Sequence, residues 1–134
     1  MAIIQQSATY FSQQVIRTRR FFVADWAVQS RSDHRLCLVG GGCEWCAPDF
    51  AIDRHDFPFV AIEMIWRGRG TVRLGRESHE VGPGHAYIFD PKTPHLIQAD
   101  SSEPMVKFFF NFSGPRITRL LDELRLHAGS LFRL

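Results

Sequence analysis

The sequence predicts an all-β domain followed by a C-terminal helix, and three observations support this fold class. Short apolar runs alternate with turn residues along most of the chain. Two of these runs alternate cleanly between two faces, and one late segment has helical periodicity instead. The chain has 134 residues, of which 45% are hydrophobic and 22% charged, which suits one globular domain with its own core.

Nine strands are predicted between the glycines and prolines of the chain. The main breaks are placed at Gly40 to Gly42, at Pro58 and at the Gly82-Pro83-Gly84 turn. The predicted strands are 20–27, 35–39, 49–54, 58–67, 70–74, 78–81, 86–89, 95–99 and 105–112. Many short strands at such spacing are typical of a sandwich or a barrel.

The two cleanest strands, 58–67 and 105–112, each combine one apolar face with one mixed face. The apolar faces carry Val60, Ile62, Met64 and Trp66, and Val106, Phe108, Phe110 and Phe112. The mixed faces carry Ala61, Glu63, Ile65 and Arg67, and Lys107, Phe109 and Asn111. A small barrel with polar groups in an interior pocket would have this pattern.

The helical segment follows Gly114-Pro115. Ile117, Leu120, Leu121 and Leu124 recur at helical spacing, with charged residues between them. We expect a cap near Ser113 and a stop near Gly129. The leucine stripe Leu120, Leu121 and Leu124 either packs on the barrel or contacts a partner. The predicted organisation is thus a barrel over 1–114 and a helix with the start of a linker over 115–134.

Charge and composition exclude several function classes. The net charge is +2, no block of like charges occurs, and no helix-turn-helix pattern is present, so no DNA-binding surface is predicted within this chain. No apolar run approaches a membrane span, and the first residues lack a signal-peptide core. Three cysteines, an odd number, fit a reduced cytoplasm best.

Four segments together point to a known family. GGGCEWCAPDFAIDR, FPFVAIEMIWRGRGTVRLG, VGPGHAYIFDPKTPHLI and FFFNFSG, in this order, resemble the N-terminal ligand-binding domain of AraC-type transcriptional regulators over residues 20–124. The resemblance implies a cupin-type double-stranded β-helix, or jelly-roll barrel, that binds a small polar effector, often a sugar. It also implies a cytoplasmic homodimer that acts on DNA through a helix-turn-helix domain absent from this chain.

Five residues are expected to contact the effector: Arg54, Glu63, His95, Lys107 and Phe109. In the resembling domains an arginine at the place of Arg54 lies in or near the pocket, where its planar fork can hold two oxygens. Glu63 would accept hydrogen bonds from ligand hydroxyls, and Lys107 would donate them. A neutral His95 can donate and accept, and the ring of Phe109 would stack on a sugar.

Structural alternatives stay open for each of these residues. Glu63 could lie at a rim or form a salt bridge with Arg54 or Arg73, since a buried unpaired carboxylate is costly. Arg54 could form a structural ion pair, and His95 and Phe109 could simply pack in the barrel.

A catalytic metal site is the main alternative to effector sensing. Cupin enzymes, which this chain resembles in fold, use a His-x-His pair, a glutamate and a late histidine. The pair would fall at 56–59, which reads Asp-Phe-Pro-Phe. His55, Glu63 and His95 are the remaining candidate ligands, so we predict no catalytic residue, metal or cofactor. The alternatives are a metal-dependent isomerase or dioxygenase, or an interaction module with a filled barrel.

The Cys43-x-x-Cys46 pair also has several interpretations. It could be a zinc half-site or a redox pair, but the only other cysteine is Cys37 and no βαβ context surrounds it. We therefore interpret it as two ordinary thiols in a turn after the glycine run.

Overall fold

The computed structural model describes residues 14–23 and 36–134, and the structural statements below concern these residues. They form ten strands and one helix. The strands are β1 (Val15–Phe22), β2 (Cys37–Cys46), β3 (Ala51–Arg54), β4 (Val60–Arg67), β5 (Gly70–Leu74), β6 (Glu77–Val81), β7 (His85–Phe89), β8 (His95–Ala99), β9 (Val106–Ser113) and β10 (Leu131–Arg133). The helix, α1, is Pro115–Glu123.

The strands form two antiparallel sheets that enclose one core. The larger sheet has the order β1-β2-β9-β4-β7-β10, and the smaller has the order β3-β8-β5-β6. Strands distant in the sequence are therefore neighbours in space, as for β2 beside β9. The core cluster takes Val72 and Ile97 from the smaller sheet and Ile65 and Phe89 from the larger. The predicted all-β class with one late helix is confirmed.

The mixed faces of β4 and β9 point into the barrel. Ala61, Glu63 and Ile65 are buried on β4, and so are Lys107, Phe109 and Asn111 on β9. The apolar faces point outward, where Trp66 and Phe110 keep 45% and 42% of their surface exposed. The period-2 alternation separated the two faces correctly, and the polar groups lie on the inner one.

The glycine run does not interrupt a strand, so the predicted break at Gly40 to Gly42 is wrong. All three glycines lie inside β2, which pairs with β1 on one side and β9 on the other. A Cβ atom on Gly42 would lie 2.1 Å from the carbonyl oxygen of Arg19. Glycine therefore serves here to let β1 approach β2, and a register shift between Leu38 and Gly40 adjusts the pairing with β9.

The helix is shorter than expected. Gly114 occupies the N-cap position instead of Ser113, and Pro115 begins the helix, which suits the missing amide hydrogen of proline. The helix ends at Glu123 with Leu124 as its C-cap, well before Gly129. Ile117 and Leu121 are buried against the outer face of the large sheet.

The predicted leucine stripe is divided between core and surface. Leu121 packs in the core beneath α1, whereas Leu120 and Leu124 are exposed. The stripe therefore supplies one packing residue and two side chains that remain open to a partner.

The chain after α1 returns to the barrel, which the sequence did not predict. Gly129 N donates to Ile88 O at 2.7 Å, and β10 then pairs with β7 as the edge of the large sheet. Residues 115–134 thus include a strand of the barrel sheet as well as the helix.

The first predicted strand, 20–27, is displaced. The structure has β1 at Val15–Phe22, and residues 24–27 of the prediction lie outside the described ranges. Within these ranges, no helix has the length and apolar character needed to cross a membrane.

Candidate functional site

Three neighbouring strands of the large sheet bring charged side chains together inside the barrel. Lys107 on β9 is paired in register with Glu44 on β2 and with Ile65 on β4. Glu63 lies across from Phe109 on one side and from Tyr87 on the other. Because these residues all occupy inward positions of adjacent strands, their polar ends meet in the lumen.

The resulting polar cluster consists of Glu44, Glu63, Tyr87 and Lys107. The Nζ atom of Lys107 lies 2.9 Å from Oε2 of Glu63 and 3.2 Å from Oε2 of Glu44. The hydroxyl of Tyr87 donates to the same Oε2 of Glu63 at 2.5 Å. Lys107 is 2% and Glu63 7% exposed, so these charges are shielded from water and must neutralise one another.

The proton positions of the cluster follow from this pairing. Burial alone would raise the pKa of Glu63, but the Lys107 ammonium and the hydrogen bonds from Tyr87 and Lys107 hold that pKa below its usual value. Burial would lower the pKa of Lys107, yet the carboxylates of Glu63 and Glu44 outweigh it and raise the pKa. Burial and the charge of Glu63 raise the pKa of Tyr87. At neutral pH, Lys107 and Glu63 are charged and Tyr87 is a neutral donor.

His95 enters the lumen from the smaller sheet. It is fully buried, with its ring stacked on Phe89 at a centroid distance of 3.7 Å. Burial lowers the pKa of His95, although the hydrogen bond to Thr93 and the charge of Glu63 oppose the shift. The imidazole is therefore neutral at neutral pH.

The hydrogen bond at Nδ1 fixes what the other nitrogen of His95 can do. Nδ1 lies 3.1 Å from the carbonyl oxygen of Thr93, which can only accept, so Nδ1 carries the proton. Nε2 is then an unprotonated acceptor. It is buried and has no hydrogen-bond partner within the part of the chain that the structure describes. An unsatisfied buried acceptor calls for a donor from outside the described residues.

Arg54 lies beside His95, because the two residues are paired in register between β3 and β8. Its guanidinium carbon is 5.1 Å from the ring centre of Phe57. Burial lowers the pKa of Arg54, while the negative charges of Glu63 and Glu44 oppose the shift. Arginine stays charged in proteins, so Arg54 and Lys107 together balance the two carboxylates.

Phe109 is buried beside the polar cluster. Its ring centre is 5.7 Å from Nζ of Lys107, and the ring of Phe50 lies 5.6 Å from the same atom on another side. The ammonium is thus held by two carboxylates and two aromatic rings, which fixes its position in the lumen.

The structure brings Glu63, Lys107 and Phe109 into contact and places Arg54 and His95 close enough for the charge of Glu63 to act on the pKa of each. Glu63 does form a salt bridge, as one of the predicted alternatives had it, but its partner is Lys107 and not Arg54 or Arg73. Arg73 instead lies 3.7 Å from Asp53.

Glu44 and Tyr87 are the cluster members that sequence reasoning missed. Glu44 and Cys46 are two residues apart on β2 and share its inward face. The predicted break at the glycine run hid this strand pattern. Tyr87 lies in the mostly apolar strand β7, and nothing in that sequence pattern indicated that its hydroxyl would join a polar cluster.

The donor set does not fit the metal site of the cupin enzymes. The side chain of His55 is 69% exposed, and its Nε2 lies 3.4 Å from Asp53, so it does not join Glu63 and His95. Across residues 14–23 and 36–134, no group of three or more His, Cys, Asp or Glu side chains is placed to hold a metal ion.

Cys43 and Cys46 lie within β2 and not in a turn, which corrects the expected position. Three residues apart on a strand, they point to opposite faces. Burial raises the pKa of Cys46 to about 12 and also raises the pKa of Cys43, so both thiols stay protonated and unreactive at neutral pH.

A groove of about 720 Å³ opens at the opposite end of the barrel from His95. The first residues of β3 and β5 and the last of β8 line it, whereas Arg54 and His95 lie at the other ends of β3 and β8. Phe50, whose ring contacts the ammonium of Lys107, is one of the residues that line the groove. None of the five predicted contact residues lines this groove; they lie in or beside the buried polar cluster, which we take as the candidate site.

Two packed antiparallel sheets with this polar lumen define a cupin-fold barrel, and solved structures agree. The plu4264 protein of Photorhabdus luminescens superposes with a TM-score of 0.55 at 16% identity, covering 85% of this chain and 88% of that one. A Cupin_2 domain of an XRE-family transcriptional regulator from Enterobacter cloacae gives 0.54 at 14% identity, covering 74% and 96%. An oxalate decarboxylase from Bacillus subtilis gives 0.53 at 17% identity, covering 75% and 26%. These identities establish the fold alone.

The family is more specific than the fold. The model of the AraC-like ligand binding domain matches residues 41–133, which is well over half of the chain. The chain therefore belongs to the AraC-like ligand-binding domain family, and the predicted resemblance is confirmed. No curated protein matches the chain significantly by sequence.

Proposed function

We propose that the lumen binds a small, uncharged molecule rich in hydroxyl groups, with sugars as the leading class. The observation that carries this proposal is the buried acceptor Nε2 of His95, which has no partner among the described residues. A ligand hydroxyl can donate to this nitrogen. A carboxylate cannot, and would instead set its lone pairs against those of the nitrogen.

The charge balance of the site supports a neutral ligand. Glu44 and Glu63 are offset by Lys107 and Arg54, so a charged ligand would leave one buried charge without a counter-charge. A neutral ligand adds hydrogen bonds without that cost. In this arrangement Glu63 accepts from hydroxyls, Lys107 and Arg54 donate to ligand oxygens, and Phe109 stacks on a C–H face.

Binding of this kind suits a sensor. The chain would act as the effector-sensing, non-catalytic part of an AraC-type regulator whose helix-turn-helix domain lies outside this sequence. Bound ligand would favour one arrangement of the barrel, of α1 or of a homodimer contact at the exposed Leu120 and Leu124, in proportion to its differential affinity for the two states. Such a regulator would work in the cytoplasm.

A thermal-shift screen of monosaccharides, amino acids and small carboxylic acids tests this function. A neutral sugar at one hundred times its Kd should stabilise the protein by about 2.7 kcal/mol by mass action. We expect Arg54→Ala and His95→Phe to abolish this shift. Phenylalanine at position 95 keeps the ring stack on Phe89 and removes both the Nε2 acceptor and the Nδ1 donor to Thr93, so a thermal melt without ligand first checks that this variant is folded.

Arg76→Ala and His127→Ala are the matched controls, because both residues lie away from the lumen on the surface. Both controls should keep the full thermal shift. A shift that survives Arg54→Ala and His95→Phe, or one produced by acids and not by neutral compounds, would show that the ligand site is elsewhere or of another class.

A further inference from the structure

The outer surface of the large sheet carries an apolar area that no part of the described chain covers. We call it the aromatic face and define it by Phe21, Met64, Trp66, Phe108, Phe110 and Phe132, which belong to β1, β4, β9 and β10. Helix α1 packs beside it, over Ile88 and Phe112, and leaves these side chains partly or largely exposed. The aromatic face is independent of the lumen, which lies on the other side of the same sheet.

The side chains of the aromatic face are arranged against one another. Phe21 contacts Phe110 at a centroid distance of 6.4 Å, and Trp66 contacts Phe108 at 5.9 Å. Gly41 lies beneath the first pair, where a Cβ atom would be 2.9 Å from the ring of Phe110 and 3.1 Å from that of Phe21. Because Gly41 has no side chain, both rings can pack directly on the backbone of the sheet, which fixes the shape of this surface.

The aromatic face contains an apolar groove of about 440 Å³. Its lining residues are Ile62, Met64, Ala86, Phe108, Phe110, Phe132 and Leu134, together with Glu63, which is itself buried. Contiguous exposed apolar surface of this kind marks a site where a partner docks. A groove lined by aliphatic and aromatic side chains suits an apolar stripe on a peptide segment.

Charge along the border restricts the partner further. Arg17 and Arg19 stand on β1 in register with Trp45 and Cys43, and Arg67 follows Trp66. Arg17 and Arg67 lie on the rings of Trp45 and Trp66, at 4.7 Å and 4.3 Å, and no ion pair is formed by Arg17, Arg19 or Arg67 within the described chain.

The large sheet can supply no acid to these arginines. Its six strands contain only two acidic residues, Glu44 and Glu63, and both are buried in the lumen. A second copy docked face to face would therefore set these arginines against strands without exposed acids, and the exposed acids of α1, Asp122 and Glu123, are already paired with His127 and Arg119. A partner with an apolar stripe and its own carboxylates would fill the groove and pair with the arginines at its border.

We propose that the aromatic face docks an amphipathic segment of another protein whose apolar stripe is flanked by acidic residues. The apolar stripe fills the groove between β9 and β10, and the acidic flank faces Arg17 and Arg19.

The test uses the full chain and fluorescently labelled synthetic helical peptides of roughly 18 residues, long enough to fold on the surface. One peptide carries leucines at helical spacing flanked by glutamates, and its twin has lysines instead of the glutamates. Anisotropy should show binding of the acidic peptide only. The Arg17→Glu, Arg19→Glu double variant should weaken that binding about tenfold or more, since it loses two ion pairs and adds repulsion. Phe110→Ser should weaken it as well.

Arg73→Glu on β5 and Arg76→Glu in the turn between β5 and β6 are the matched charge controls, and both variants should bind the acidic peptide as the parent does. Thermal melts confirm that each variant is folded. The proposal is overturned if the acidic peptide does not bind, or if the lysine peptide binds equally well. It is also overturned if a single-stranded oligonucleotide binds in the peptide's place, or if sedimentation shows a dimer that Phe110→Ser dissociates.

Discussion

Replacement of Lys107 with methionine should lower the free energy of unfolding by about 3–5 kcal/mol. Lys107 is the partner of both buried carboxylates, and its removal leaves Glu44 and Glu63 as like charges in the core. Methionine has a similar volume, so the loss reflects charge and not a cavity. Urea denaturation of the parent and the variant measures the difference, and Lys92→Met, on the surface, is the control that should change little.

The pH dependence of stability should change sign in the same variant. In the parent, the pKa of Glu63 is lowered on folding, so its contribution is present above its unfolded pKa and is lost as pH falls through the folded pKa. Without Lys107, burial raises the pKa of Glu63 above its unfolded value. Acidification should then increase the free energy of unfolding of the variant. Adding Glu44→Gln and Glu63→Gln to Lys107→Met should recover most of the lost stability. A variant that stays fully stable with both carboxylates intact would contradict the role given to Lys107.

Alanine at Gly42 should destabilise the protein by about 1–3 kcal/mol, because its Cβ atom would lie 2.1 Å from the backbone oxygen of Arg19. Backbone atoms cannot move aside as a flexible side chain can, so β1 must separate from β2. Hydrogen exchange should show faster exchange of the β1 and β2 amides in this variant.

Gly75→Ala is the control for Gly42→Ala. Gly75 has a φ of 61°, and nothing lies within 4 Å of the place that a methyl group would take, so alanine there costs only backbone strain, about 1–2 kcal/mol. Exchange at β1 and β2 should be unaffected by it. Equal exchange at β1 and β2 in Gly42→Ala and the parent would show that Gly42 is not required for the approach of the two strands.

The inner and outer faces of the barrel were predictable from the sequence, because alternation depends only on the period of a strand. Lys107 and Glu63 belong to the mixed faces and are buried as the pattern predicted. Their pairing was not predictable, because it depends on the register of β4 and β9 and on the neighbouring position of β2. The same limit hid Glu44, which meets Lys107 only through the pairing of β2 with β9.

Two local errors have distinct physical causes. Glycine usually breaks a strand, but at Gly42 it serves the close approach of another strand, which is a tertiary effect. Strand β10 has three residues, too few for a periodic signal, and its pairing with β7 depends on a turn that ends at Gly129 with a φ of 89°. Local sequence patterns therefore predicted most of the strands. The strands that were missed or interrupted depend on contacts between segments that are distant in the sequence.

The tautomer of His95 tests the central claim most directly. Nitrogen-15 spectra of the imidazole should show a proton on Nδ1 and none on Nε2 in the free protein at neutral pH. A sugar identified by thermal shift should then move the Nε2 resonance of His95 and leave that of His127 in place. A stabilising sugar that leaves the His95 Nε2 resonance unchanged, or a free protein with the proton on Nε2, would contradict recognition of the ligand in this lumen.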